Sequence, residues 1–151
     1  MPPKTFKTII DAVDGFHSVA LDKDSQPLTT FITEWGRYMY LRMPQGFLAA
    51  GDAYTSRYDS ITESVPRKVK IMDDVLLHDL DIEDHFYHVW DYLSLCADNG
   101  VVVNGPKFQF GKNIVDFAGL TVTSEGVTPS DKMLSAISEF PRPTNLTSAR
   151  S

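Results

Sequence analysis

The sequence predicts an α+β fold, an antiparallel sheet with helices packed on one face. Three observations lead there: short β-branched runs bounded by turn residues, two long stretches with apolar residues at the helical period, and an acidic pair set between apolar arms. Phe6-Lys7-Thr8-Ile9-Ile10 reads as a strand that delivers Asp11 at its end. After Asp14-Gly15-Phe16 and the polar turn Asp22 to Pro27, Thr29–Thr33 and Arg37–Leu41 read as a hairpin around Trp35-Gly36, ended by Pro44. Phe47, Ala50, Tyr54, Tyr58 and Ile61 then share one helical face, on a helix expected to start beside Gln45-Gly46.

Ser64-Val65-Pro66-Arg67-Lys68 connects that helix to Val69-Lys70-Ile71-Met72-Asp73-Asp74-Val75-Leu76-Leu77. Asp is depleted from strands and adjacent carboxylates repel, so this pair belongs at a tight turn or where cations neutralise it. The second helix carries the stripe Ile82, Phe86, Val89, Trp90, Leu93 and Ala97, with Asp81 as its N-cap and Asn99-Gly100 as its stop. Val101-Val102-Val103 returns to strand. Further strands are expected around Lys107 to Phe110 and Val115 to Val122, before a last helix from Ser130 to about Phe140 closed by Pro141-Arg142-Pro143.

At 151 residues with 42% hydrophobic content, the chain is of single-domain size and able to bury a core. No apolar run reaches the roughly 18 residues that span a bilayer, and Met1-Pro2-Pro3-Lys4-Thr5 lacks the apolar core of a signal peptide. The reading is of an intracellular protein, cytoplasmic or nuclear, with no membrane partner. Cys96 lies in an apolar helical stretch and reads as core. A net charge of −6 and a pI near 5.0 argue against a wholly basic nucleic-acid platform, though not against local contacts.

Asp11 and the Asp73-Asp74 pair each end an apolar strand, and adjacent strands would bring them together. Carboxylates so gathered can chelate a pair of Mg²⁺ ions with positions left open for substrate phosphates, the arrangement that suits nucleotidyl transfer. Other chemistries fare worse. His85 and His88 with Cys96 fall short of zinc-ligand spacing, His17 and His78 have no nucleophile in a recognisable setting, and Asn145-Leu146-Thr147 is a glycosylation pattern that chance often produces.

The ordered set Asp11-Ala12-Val13-Asp14-Gly15-Phe16, Met43-Pro44-Gln45-Gly46-Phe47, Ile71-Met72-Asp73-Asp74, Gly100 through Lys107, and Phe117-Ala118-Gly119-Leu120 resembles the palm of reverse transcriptases. It is most similar to gypsy-type long-terminal-repeat retrotransposon polyproteins, and the likeness covers nearly the whole chain. The resemblance implies a polymerase palm-like fold over 1–151 and RNA-directed DNA polymerase chemistry. It makes Asp11, Asp73 and Asp74 the acids that hold two Mg²⁺ ions, with Mn²⁺ as a substitute. Lys107 would protonate the leaving pyrophosphate, and Phe16 would collide with a ribose 2′-hydroxyl. Gln45, Gly46 and Met72 would contact nucleotide and template, and Phe117, Ala118, Gly119 and Leu120 would grip the primer.

Implied partners are an RNA or DNA template with its primer, deoxynucleoside triphosphates, and the polyprotein's fingers, thumb, ribonuclease H and integrase domains. On this reading the fingers are cut short at the N-terminus, and thumb, connection and ribonuclease H are missing after the last helix. Ile71 departs from the family's usual Tyr. Read without the resemblance, Phe16 is a core aromatic, Pro44-Gln45-Gly46 a turn, Lys107 a surface lysine and Ala118-Gly119 a small-residue turn. A non-catalytic relic that keeps the palm and binds nucleic acid or a protein is the alternative function, and a fragment with no stable fold a third.

Overall fold

The computed structural model describes residues 5–13 and 15–140. Asp14, the Pro141-Arg142-Pro143 stop and the Asn145-Leu146-Thr147 pattern lie outside the described residues. In chain order the elements are β1 (Phe6–Val13), β2 (Phe31–Thr33), β3 (Gly36–Tyr38), α1 (Ala50–Thr62), β4 (Lys68–Ile71), β5 (Asp74–Asp79) and α2 (Ile82–Asp98). They continue with β6 (Val102–Val103), β7 (Gln109–Lys112), β8 (Val115–Phe117), β9 (Leu120–Val122), β10 (Val127–Pro129) and α3 (Asp131–Ser138).

β1 is the organising strand. One of its edges pairs antiparallel with β5 from Phe6↔Asp79 to Asp11↔Asp74, and β4 lies beyond β5. Its other edge is shared, β7 pairing near Lys7 and Ile9 and β6 pairing at Ala12 and Val13. Side chains of a strand alternate between faces. Accordingly Ile10, Ala12, Val75 and Leu77 meet Tyr54, Tyr58, Val89, Tyr92 and Cys96 of α1 and α2 on one face. On the other face Ile9 and Leu76 meet Val115, Phe117 and Val122 of a separate three-stranded sheet. Cys96 is buried core, as expected.

The antiparallel α+β architecture is therefore the expected one, with helices on one face of the main sheet. Several details differ. The strands form three sheets and not one, because β8, β9 and β10 turn away to cover the second face and β2–β3 stands as a separate hairpin. The run expected as one strand from Val115 to Val122 folds back on itself. Ala118 and Gly119 both take positive φ, 50° and 79°, as a two-residue hairpin turn demands.

α1 begins at Ala50, not beside Gln45-Gly46, since Gly46 sits in a turn with φ 88° and Phe47 is exposed outside the helix. α2 keeps its expected Asp81 cap, whose carboxylate accepts from the N–H groups of Glu83 and Asp84, but it is rotated relative to the expected stripe. Its buried side is His85, His88, Val89, Tyr92 and Cys96, while Ile82, Phe86 and Trp90 are exposed. Phe86 and Trp90 stack on each other, with Phe110 edge-on to Phe86.

Candidate nucleotidyl-transfer site

The acidic hairpin is both a turn and a meeting point of charge. Ile71 pairs with Asp74 across the β4–β5 hairpin, so Met72 and Asp73 form the tip, Met72 with φ 52° and three-quarters exposed. Two contacts bring this tip to β1: Asp11 faces Asp74 in register, and the Ala12 N–H donates to the Asp73 carbonyl at 3.2 Å. Acids sixty residues apart in sequence thus share one end of the central sheet.

Their electrostatics differ. Burial works against the charged form of Asp11, but hydrogen bonds from Lys107 and Asn104 and the Lys107 charge outweigh it and hold Asp11 below the usual carboxylate range. Asp73 is pushed up by burial and then by the Asp11 charge, and Asp74 by burial and its contact with Asp11. The charged forms of Asp73 and Asp74 are therefore disfavoured where they sit, a cost that a nearby cation would offset. An all-carboxylate donor set fits a hard, oxygen-seeking ion. The three do not close as a set to within 4.8 Å of one another, the spacing reached among the described residues by Asp79, His85 and His88.

Lys107 ends a 3-10 turn, Gly105–Lys107, and its Nζ lies 3.1 Å from Asp11 Oδ2 while the side chain stays two-thirds exposed. Asn104, which the sequence reading did not single out, donates from Nδ2 to the same Oδ2 at 2.9 Å and from its backbone N–H to the Asp11 carbonyl at 2.8 Å. The available signal was a lone amide directly after Val101-Val102-Val103, a residue type that can both bond locally and reach a neighbouring strand.

Phe16 packs against the helix-facing core, its ring 5.8 Å from that of Tyr54. Between them Gly15 has ordinary helical angles, yet a β-carbon there would lie 2.5 Å from Tyr54 Cζ. The buried Tyr54 hydroxyl looks towards Asp73 without making a hydrogen bond, and burial followed by the Asp73 charge raises its pKa. Gln45 and Gly46 are exposed and line a 360 Å³ cavity with Leu21, Leu28, Tyr40 and Phe47, a cavity that none of the three acids lines. The residues expected at the primer divide. Phe117 is buried with Ile9 and Leu76, whereas Ala118, Gly119 and Leu120 form the exposed turn whose Gly119 carbonyl accepts from the Ser130 N–H.

A second polar cluster escaped the sequence reading. Asp79 is 3% exposed and accepts from His85 Nδ1 at 2.6 Å, His88 Nδ1 at 2.8 Å and the Arg67 guanidinium. His85 Nε2 meets the Thr8 hydroxyl at 2.7 Å, and the Gly111 N–H donates to that same Thr8 oxygen. Thr8, His85 and Asp79 thus stand in the order of a nucleophilic triad, but Thr8 and His85 are wholly buried, so no substrate reaches them. The cluster is a polar brace between β1, β5 and α2, and Cys96 has no part in it.

Residues 2–122 match the family described as reverse transcriptase (RNA-dependent DNA polymerase). The chain is 30% identical over 139 residues to a retrovirus-related Pol polyprotein from transposon 297 of Drosophila melanogaster, and 30% over 141 residues to that of transposon opus. It is 30% identical over 132 residues to the enzymatic polyprotein of Cauliflower mosaic virus strain D/H. These alignments cover 91%, 92% and 87% of the chain but only 13%, 14% and 20% of the respective relatives, so the chain spans a small part of their length. In fold it superposes with a TM-score of 0.91 on a foamy viral protease-reverse transcriptase solved with double-stranded DNA, at 23% identity, covering 99% of this chain and 26% of that one. No helix among the described residues is long and apolar enough to cross a membrane. With the family matched over most of its length and the fold shared, the chain belongs to the reverse transcriptase (RNA-dependent DNA polymerase) family.

Proposed function

We propose that this chain is the palm of a retroelement reverse transcriptase, spanning 1–151, and that its acid-rich sheet end is the centre for adding deoxynucleotides to a primer 3′ end. The observation that carries this reading is the register Asp11↔Asp74, which sets the end of β1 against the Met72-Asp73 tip. Asp11, Asp73 and Asp74 would hold two Mg²⁺ ions, with Mn²⁺ as a substitute; when bound, such ions activate an attacking hydroxyl and stabilise the leaving oxygen.

The chain's own residues supply the rest. Lys107, already beside Asp11, is the cation placed to give a proton to a departing pyrophosphate. Phe16, held by Tyr54, presents a bulky ring near the Asp11 strand that disfavours a 2′-hydroxyl. Gln45 and Gly46, in their exposed turn, and Met72, at the hairpin tip, are the nucleotide and template contacts, while Ala118, Gly119 and Leu120 offer an exposed turn to the primer and Phe117 anchors it from the core. Template, primer and deoxynucleoside triphosphates are the proposed partners, with fingers, thumb, ribonuclease H and integrase regions of a longer polyprotein.

The test is primer extension by the chain in its full reading frame, with Mg²⁺ and deoxynucleotides. Asp73→Asn should abolish extension; equal extension by this variant ends the assignment. A second reading, a palm that binds without catalysis, draws on Ile71 at the usual Tyr position, where it is half exposed and offers no hydroxyl. Template binding without incorporation in either Mg²⁺ or Mn²⁺ would favour it.

A further inference from the structure

The Asp11 carboxylate is held from one side by an amide that lies just past the end of β6. β6 pairs with the last turn of β1 through Ala12↔Val103 and Val13↔Val102, which brings the next residue, Asn104, level with Asp11. The Asn104 main chain then fixes the pair twice over. Its N–H donates to the Asp11 carbonyl at 2.8 Å, and its carbonyl accepts from the N–H groups of Lys107 and Phe108 at 3.1 Å, which starts the Lys107 turn. Its side-chain Nδ2 donates to Asp11 Oδ2 at 2.9 Å, the oxygen that Lys107 Nζ also approaches.

We propose that Asn104 is a positioning residue that fixes the Asp11 carboxylate for divalent-ion binding and ties it to the Lys107 turn. The inference rests on the metal-site reading given above. With Asn104 and Lys107 both on Oδ2, the carboxylate is held against rotation about its last bond, and among the described residues no hydrogen bond to Oδ1 is made, which leaves that oxygen to face a cation. Ionised carboxylates only accept, so an amide N–H is the matching partner, and an amide adds no charge that would compete with the ion. Partners that orient a metal ligand in this way commonly govern affinity, with losses of about 10- to 100-fold when they are removed.

The experiment is Mn²⁺ binding to the 151-residue chain by isothermal titration, with thermal midpoints in chelator as the check on folding. Asn104→Ala should weaken Mn²⁺ binding about tenfold or more while changing the midpoint little, because the backbone bonds survive; Asn104→Gln, which keeps an amide, should recover part of the loss. Mn²⁺ binding by Asn104→Ala equal to that of the unsubstituted chain overturns the role of Asn104. The metal-site reading itself is judged separately: it stands if Asp73→Asn loses Mn²⁺ binding and falls if the unsubstituted chain binds none. A readout that needs no variant is nuclear magnetic resonance of the side-chain amides under Mg²⁺ titration. Asn104 should shift with the binding midpoint while Asn99 and Asn113 stay, and an unmoved Asn104 signal overturns the proposal.

Discussion

Tyr54 fills the space where a β-carbon on Gly15 would be: such an atom would sit 2.5 Å from Cζ and 2.6 Å from Cε2 of the ring. Gly15 has φ −50° and ψ −44°, angles open to any residue, so the need for glycine is packing and not backbone freedom. Gly15→Ala should cost about 1–3 kcal/mol, the usual range for overfilling a packed site. Urea unfolding checks this, and the penalty should shrink when Tyr54→Ala is combined with it.

The buried hydroxyl of that ring faces Asp73, one of three acids whose mutual repulsion sets a second expectation. Asp73 and Asp74 have pKa values raised in the folded chain, by burial and by Asp11. A raised folded value contributes stability that is full below the unfolded carboxyl pKa, near 3.9 for Asp, and is lost as pH rises through the folded value. Like charges directly opposed on paired strands cost roughly 0.2–1 kcal/mol. Asp74→Asn should therefore stabilise the metal-free chain at pH 7 by about that amount, while Mg²⁺ should raise the thermal midpoint of the unsubstituted chain more than that of the variant. Differential scanning calorimetry with and without chelator separates the two effects.

Asp79 behaves oppositely. Burial opposes its charge, but the hydrogen bonds from His85, His88 and Arg67 win, and its pKa is lowered. Its contribution is present above the unfolded Asp value and is lost as pH falls through the lower folded value. Asp79→Ala leaves two buried imidazoles without their acceptor and should cost about 3–5 kcal/mol, as removal of one partner from a buried charged network does. Acid unfolding curves should also flatten in the variant.

How much of this was legible in the sequence depends on what the buried side of each element is made of. β1, the acidic hairpin and the Asp81 cap follow from local chemistry and appear where the residues placed them, although β1 runs on to Val13, past the end expected at Asp11. α2 misled in part, because Ile82, Phe86, Trp90 and Ala97 of its apolar stripe are exposed, and of that stripe only Val89 is buried, with Leu93 half-buried against the core. The buried side holds His85 and His88 on Asp79 and the Tyr92 hydroxyl 2.6 Å from that of Tyr58, so hydrophobicity ranks the two faces in the wrong order. Within the candidate site the acids and Lys107 were legible as motifs. Asn104 was not, since its partner lies 93 residues away and only the β1–β6 pairing joins them.

The buried tyrosine pair gives a further expectation. Burial raises both hydroxyls, Tyr58 up to about 12. For a phenol so raised, stability is full below the ordinary value near 10 and is lost as pH climbs through the folded value. Tyr92→Phe should cost about 1–3 kcal/mol, because the Tyr58 hydroxyl is left buried without its partner. The double change to Phe should recover most of that loss in chemical denaturation.

Whether Asp11, Asp73 and Asp74 make one divalent-ion centre is decided by anomalous X-ray scattering from crystals of the chain soaked in Mn²⁺. A manganese peak is expected between the Asp11 and Asp73 carboxylates, and none there in Asp73→Asn. A peak found only at Asp79, His85 and His88, or no peak beside Asp11 at saturating ion, would contradict it.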